Sequence, residues 1–270
     1  MTDLGPLKLL DERPGPALPL VPELRRLYGG DLLLAERCLY ANFVATVDGV
    51  VAIPSLPDSN RLIAGGSDAD RFVMGLLRAA ADVILIGSGT LRASARGRWR
   101  PETVFAPAAG HYAALRRELG LAASPRVAIV TASGSIPPDH VVLADRPLVL
   151  TTEHGAARLR GSVPAGVELR ALPGDDRVDV GAAIALLREL DHGRILSEAG
   201  PHVFGALVAA DLVDELFLTV SPLLAGRHPS GSLGLVEGVP LLPEQALPAS
   251  LRSVRRHGEH LFLQYALVES

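Results

Sequence analysis

The sequence predicts an α/β domain in which a mostly parallel central sheet lies between two helical layers and ends in a C-terminal antiparallel hairpin. Three observations carry this. From about residue 39 to residue 220, short apolar runs bounded by turn residues alternate with segments whose apolar residues recur at helical spacing, so the strands need crossovers. The runs Val83–Gly87 and Arg126–Thr131 are almost wholly apolar, as in strands covered on both faces. The last two runs, Leu251–His257 and Leu261–Val268, are separated by Gly258-Glu259, which suits a hairpin and leaves no room for a crossover.

Composition excludes several classes. The chain has 270 residues, and its 48% hydrophobic content supplies a core from Leu, Val and Ala with few aromatics. A net charge of −4 argues against a general nucleic-acid binder, which needs a basic face. The single cysteine, Cys38, rules out an intramolecular disulfide and a cysteine-rich zinc site; within its apolar run it reads as a core thiol. His202, His228, His257 and His260 form no i,i+4 pair, so no metal site is expected. No apolar run approaches the roughly 20 residues of a membrane span, and no basic-then-apolar leader opens the chain. A soluble cytoplasmic protein is expected.

Taken in order, residues 1–37 mix Pro, Gly and charge and read as an N-terminal arm, with one short helix over Pro22–Tyr28. Leu39–Val47 is rich in strand formers and ends at the turn dipeptide Asp48-Gly49. Ser67-Asp68-Ala69-Asp70 resembles a capping box, and Val73, Leu76, Leu77 and Ala80 give the helix it starts one apolar face. The strand Val83–Gly87 runs into Gly87-Ser88-Gly89-Thr90. Tyr112–Leu119 is predicted helical, Arg126–Thr131 a strand, and Thr131-Ala132-Ser133-Gly134 a turn. Leu148–Thr152 and Val167–Leu172 are further strands. Asp179 caps an amphipathic helix running to about Leu190.

The organising stretch follows. A short strand at Ile195-Leu196 meets Ser-Glu-Ala-Gly-Pro, then a helix carrying Val203, Phe204, Leu207 and Val208, then a strand over Asp214–Val220. Pro201 suits the first helical turn, and Ala199 and Gly200 let a ligand approach the backbone. The helix N-terminus there favours an anion such as a phosphate. Glu198 lies at the strand's carboxyl end, where open α/β sheets hold ligands; it either orients a ligand or caps its own turn. Asp48 either shapes its turn or faces a ligand. Gly87-x-Gly89 marks a turn or a second phosphate cradle. Arg92, Arg96, Arg98 and Arg100 form either a solvated basic loop or a phosphate anchor, with Arg92 the first candidate.

Three of these blocks resemble the riboflavin-pathway reductases, the C-terminal reductase domain of the bifunctional RibD/RibG proteins, which share the dihydrofolate-reductase-like fold. They are ANFVATVDGVVA, DADRFVMGLLRAAADVILIGSGTLRA and SEAGPHVFGALVAADLVDELFLTVSPLLAG. The resemblance spans about residues 38 to 268, so 38–270 is expected to form one reductase domain. Ala199 stands where the family has Gly, and Thr46-Val47 replace its usual Ser-Leu. Ser94 stands where the family continues with an Asp implicated in substrate turnover. The zinc deaminase half of bifunctional relatives needs H-x-E followed by P-C-x-x-C, which one cysteine cannot supply, so no deaminase domain is expected.

The resemblance implies an NADPH-dependent reductase of a small pyrimidine- or pteridine-like substrate, with the riboflavin-pathway phosphoribosylaminouracil or the related diaminopyrimidinone first in line. A dihydrofolate-reductase-like activity and a non-catalytic NADP-binding protein are the alternatives. It places Ala45, Gly87, Gly89, Thr90, Thr131, Ser133, Ala199, Gly200, Pro201, His202 and Val203 along the cofactor. It places Asp48, Arg92, Ser94, Arg96 and Glu198 at the substrate, with Asp48 and Glu198 as the catalytic carboxylates. Asp48 would hydrogen-bond the substrate or help deliver the proton that accompanies the hydride. In this fold the loop after the Arg126–Thr131 strand holds the adenosine 2′-phosphate, commonly through an Arg. Ala132 supplies no charge there, so only the hydroxyls of Thr131 and Ser133 remain and a modest preference for NADPH over NADH is implied. A homodimer is the family's usual assembly.

Overall fold

The computed structural model of the chain describes residues 4–243 and 245–267. Its strands are β1 (Lys8–Glu12), β2 (Ala17–Leu18), β3 (Leu32–Leu33), β4 (Cys38–Thr46), β5 (Val83–Gly87), β6 (Arg126–Thr131), β7 (Leu148–Thr151), β8 (Glu168–Ala171), β9 (Arg194–Ser197), β10 (Glu215–Ser221), β11 (Ser250–His257) and β12 (His260–Ala266). The helices are α1 (Pro22–Tyr28), α2 (Ser59–Ile63), α3 (Asp68–Ala80), α4 (Ser88–Ala93), α5 (Pro101–Val104), α6 (Ala109–Glu118), α7 (Glu153–Leu159), α8 (Val180–Glu189) and α9 (Pro201–Ala209). Val268, the last residue of the predicted final strand, lies outside the described residues.

One ten-stranded sheet runs in the order β1-β11-β12-β10-β4-β9-β5-β6-β7-β8. From β10 to β8 every pairing is parallel, and β12, β11 and β1 extend the sheet antiparallel. The all-apolar strands owe their composition to two cores. In β5, Ile84 and Ile86 join the core under α3 and α6, while Val83 and Leu85 join the core under α8 and α9. In β6, Val127 and Ile129 split from Ala128 and Val130 in the same way. This three-layer α/β sandwich with its closing hairpin matches the expected dihydrofolate-reductase-like architecture.

Local signals place the larger helices. The Ser67 side chain accepts from the Asp70 N–H and starts α3, whose Phe72, Leu76 and Leu77 are wholly buried. Each such side chain contributes about 1.5–3 kcal/mol relative to leaving it exposed. Asp179 accepts from the Ala182 N–H and starts α8; Thr152 accepts from the Gly155 N–H and starts α7.

The segment before Cys38 is more than a lead-in. Besides the predicted helix α1, it adds edge strand β1 to β11 and forms the small β2–β3 ribbon. Arg255, 1% exposed, binds this segment down. Its guanidinium pairs with Glu12, donates to the Tyr28 carbonyl and stacks 4.0 Å over the Tyr28 ring. The run Lys8–Glu12 has no apolar alternation, and its residues are exposed on both faces, so its pairing depends on β11 being in place.

Candidate active site

The carboxyl ends of β4, β9, β5 and β6 line one edge of the sheet, and two helices begin there. Gly87 precedes α4 and Gly200 precedes α9, and neither helix has a side-chain cap, in contrast to α3, α7 and α8. The two starts adjoin. A methyl group placed on Gly87 would lie 3.4 Å from Val203 Cγ2, and one on Gly200 would lie 3.6 Å from Thr90 Oγ1. A methyl on Gly89 would meet nothing within 4 Å. Gly200 has φ −67° and ψ 171°, open to any residue, and Gly89 is helical. Neither glycine is required by backbone conformation or by chain packing. The opening they leave beside uncapped N–H groups fits a phosphate-bearing ligand. Pro201 takes the first helical position as predicted, Ala199 is buried beneath the turn, and His202 is exposed beside it.

Hydroxyl groups extend this edge. Thr131 Oγ1, Thr151 Oγ1, Ser197 Oγ and Ser221 Oγ are buried without a hydrogen-bond partner, and each ends its strand: β6, β7, β9 and β10. Buried hydroxyls are ordinarily paired, so these four strand ends stand out within the chain; Thr151 Oγ1 faces Gly155 of α7. Thr131 was among the predicted residues. The other three carried no signal, because Ser or Thr at a strand end reads as turn chemistry.

Asp48 sits just past β4, fully engaged by its own surroundings. Thr46 Oγ1 donates to Oδ1 at 2.6 Å, and the Ala225 and Gly226 N–H groups donate at 3.0 and 2.8 Å. The Thr46 hydroxyl leads these donors in pulling the carboxyl down to about 2. It is therefore ionised at neutral pH: able to accept from a ligand, poorly suited to give up a proton. Ala45 is buried in β4, two strand positions before the turn begins.

Glu198 follows β9 and is held by a residue the sequence did not flag. Its two oxygens accept from Arg78 Nε and Nη2 of α3, both at 2.7 Å, in a pair whose side chains are 9% and 10% exposed. The carboxylate neither caps its own turn nor points free; it ties α3 to the α9 turn. The β4–β9 register aligns Ala41 with Ser197, and Thr46 lies five residues further on, roughly 16 Å of strand. Asp48 and Glu198 are held by separate partners, Asp48 by Thr46 and the Ala225 and Gly226 N–H groups, Glu198 by Arg78.

The arginine cluster divides. Arg98 and Arg100 both pair with Asp145 and line a cavity of about 720 Å³ with Asp82, Arg126 and His192, at the amino ends of β5, β6 and β9. That cavity opens on the edge opposite the uncapped helices, and its arginines are largely spent: on Asp145, on Glu168 for Arg126, and on backbone carbonyls for Arg116. Arg96 is exposed. Arg92 reaches across to the loop after β6, its Nη1 donating to the Ser135 carbonyl at 3.2 Å. Ser133 Oγ accepts from the Ser135 N–H in that loop. Ser94 ends α4 half-buried, and its carbonyl lies 3.0 Å from His140 Nε2.

Residues 37–257 match the RibD C-terminal domain. The chain belongs to that family. It is 23% identical over 194 residues to the 2,5-diamino-6-ribosylamino-4(3H)-pyrimidinone 5′-phosphate reductase of Archaeoglobus fulgidus, spanning 71% of this chain and 83% of the relative. In structure it resembles a pyrimidine reductase-like protein of Corynebacterium diphtheriae, with a TM-score of 0.68 at 20% identity, covering 93% of this chain and all of the other. RibD of Acinetobacter baumannii matches with a TM-score of 0.62 at 17% identity, over 86% of this chain and 58% of its own. These likenesses fix the fold that carries the edge described above. Among the described residues, no helix is long and apolar enough to cross a membrane.

Proposed function

We propose that this chain is an NADPH-dependent reductase of a small pyrimidine-like substrate, with a ribosylaminopyrimidine phosphate as the first candidate. What supports it most is the pair of adjoining helix starts at Gly87–Thr90 and Gly200, left without side-chain caps and opened by glycines that the fold itself does not require. Family membership and the 23% identity to a named pyrimidinone phosphate reductase point the same way. NADPH, when bound, supplies the hydride. The chain's part is to hold the pyrophosphate on the N–H groups of α4 and α9 and to fix the substrate beside it.

In this reading Asp48 binds the substrate as an ionised acceptor, rigid because three donors already orient it. Glu198 and Arg78 act behind the site, keeping the α9 turn fixed against α3. Ser94 brings a hydroxyl where relatives bring a carboxylate, which keeps dihydrofolate-like substrates in play. The test is NADPH oxidation followed optically against a panel of ribosylaminopyrimidine phosphate, dihydrofolate and dihydrobiopterin. Turnover of the first alone supports the proposal; turnover of dihydrofolate alone redirects it. NADPH binding without any turnover leaves the non-catalytic alternative. The reading includes a homodimer, which sedimentation equilibrium checks.

A further inference from the structure

We propose that the arginine-lined cavity at the amino ends of β5, β6 and β9 is a second binding site, remote from the candidate active site, for a small organic phosphate monoester. It is independent of the NADPH reading. Strand β6 runs from Arg126 in the cavity to Thr131 at the opposite edge, roughly 16 Å of strand.

Charge is out of balance here. The chain as a whole carries −4, yet five arginines line this hollow beside three carboxylates, those of Asp82, Asp145 and Asp191. Bonds within the chain do not neutralise them. Arg98 and Arg100 share the single carboxylate of Asp145, and Arg126 shares Glu168 with Arg170. With Glu168 and Arg170 counted, six cations meet four carboxylates, an excess of two. A phosphate monoester carries close to two negative charges at neutral pH.

Donors are also left over. Arg116 is 2% exposed and spent on the carbonyls that end α3, so it takes no part. Arg98 uses only Nη1 within the chain, and Arg100 and Arg126 only Nη2, so each keeps donors for a further anion. Arg146 makes no side-chain hydrogen bond or ion pair among the described residues, yet its stem is held in place. Its backbone is left-handed at φ 52°, and a methyl on Gly166 would come 3.1 Å from its Cδ. A bulky residue keeps such a backbone only where its surroundings impose it. Guanidinium forks match phosphate oxygens two at a time. The volume, about 720 Å³, is that of a ligand pocket and exceeds what a bare phosphate fills. Pro125, Val127 and Leu190 offer apolar wall to an organic body, and His192 Nε2 is buried there without a partner. Arginines beside the carbonyl ends of α3, α6 and α8 would also serve the fold alone, and the variants below separate the two roles.

The experiment is an NMR titration of histidine-labelled protein, read at the His192 ring, with ribose 5-phosphate, ribose and inorganic phosphate. It uses wild type, Arg146→Gln, Arg146→Lys, Arg98→Gln/Arg146→Gln and Gly200→Val. Ribose 5-phosphate should shift the wild-type His192 ring saturably, inorganic phosphate more weakly, and ribose not at all. The double variant should bind at least about tenfold more weakly, as loss of one charged hydrogen bond allows. Gly200→Val, changed at the opposite edge, should keep the wild-type response. Arg146→Gln breaks no side-chain bond of the fold, so weaker binding at an unaltered Tm, with partial rescue by Arg146→Lys, marks a ligand role that a structural arginine would not show. If ribose 5-phosphate leaves His192 unmoved, or binds the arginine variants as it binds wild type, the proposal fails. Inorganic phosphate bound as tightly as ribose 5-phosphate overturns the organic ligand. A response lost in Gly200→Val and kept in the arginine variants places the phosphate at the other edge and overturns the second site.

Discussion

Replacing Glu198 by Gln tests whether the Arg78–Glu198 pair is what holds the α9 turn in place. Both carboxylate oxygens accept at 2.7 Å and both side chains are about nine-tenths buried, so solvent screens the pair weakly. Removing one partner of a buried pair leaves the other charge uncompensated, at a cost of about 3–5 kcal/mol. Gln retains one acceptor, which puts the expected loss near about 3 kcal/mol. For 270 residues, an unfolding entropy of about 2.1 cal/mol/K per residue turns this into a fall of roughly 5 °C in Tm. The assay is urea and thermal unfolding of wild type, Glu198→Gln, Arg78→Met and the double variant Arg78→Met/Glu198→Leu. Each single change should be costly, and the double change should recover much of the loss, because an apolar pair leaves no buried charge. NADPH affinity should fall with the single variants as the turn loosens. A Glu198→Gln protein within about 1 kcal/mol of wild type, judged against that range, would refute the reasoning.

Three further outcomes are expected. Gly200→Val should fold, since φ −67° and ψ 171° admit valine, at about 1 kcal/mol of cap preference; calorimetry should then show NADPH affinity falling tenfold or more. Unchanged affinity would make the turn structural only. Asp48→Asn, which removes the charged acceptor, should lower kcat/KM by roughly 10- to 100-fold, as loss of one charged hydrogen bond implies, with NADPH affinity within a few-fold. In the wild type, carboxyl NMR should place the Asp48 midpoint at about 2, and a midpoint above 4 would remove the ionised-acceptor role. Asp70, 5% exposed in α3, is raised to about 6, chiefly by burial and against a hydrogen bond from Thr219. The native state therefore holds this proton after the unfolded chain has released it, so stability should fall as pH rises from about 4 to about 6, by on the order of 2–3 kcal/mol. Asp70→Asn should abolish that slope in urea titrations at fixed pH; an unaltered slope assigns it to other groups.

The sequence by itself determined the strands from β4 onward, the larger helices and the two glycine turns. Those are local facts: β5 and β6 announce themselves because both faces are buried, so nearly every position is apolar. The helix starts at Ser67, Asp179 and Pro201 were legible because capping is a property of three or four adjacent residues. Tertiary structure alone decided who meets whom. Strand β1 is invisible in its own residues because its partner, β11, lies more than 240 residues away, and an exposed edge strand needs no apolar pattern. Arg78 looks like an ordinary charge in the last turn of α3 until Glu198, 120 residues on, arrives beside it. The four arginines at 92–100 look like one patch, yet the fold sends Arg98 and Arg100 to Asp145 and Arg92 to the loop at Ser135. Long side chains such as Arg reach several ångströms from their backbone, so their partners are set by packing across the sheet and not by neighbours in the chain.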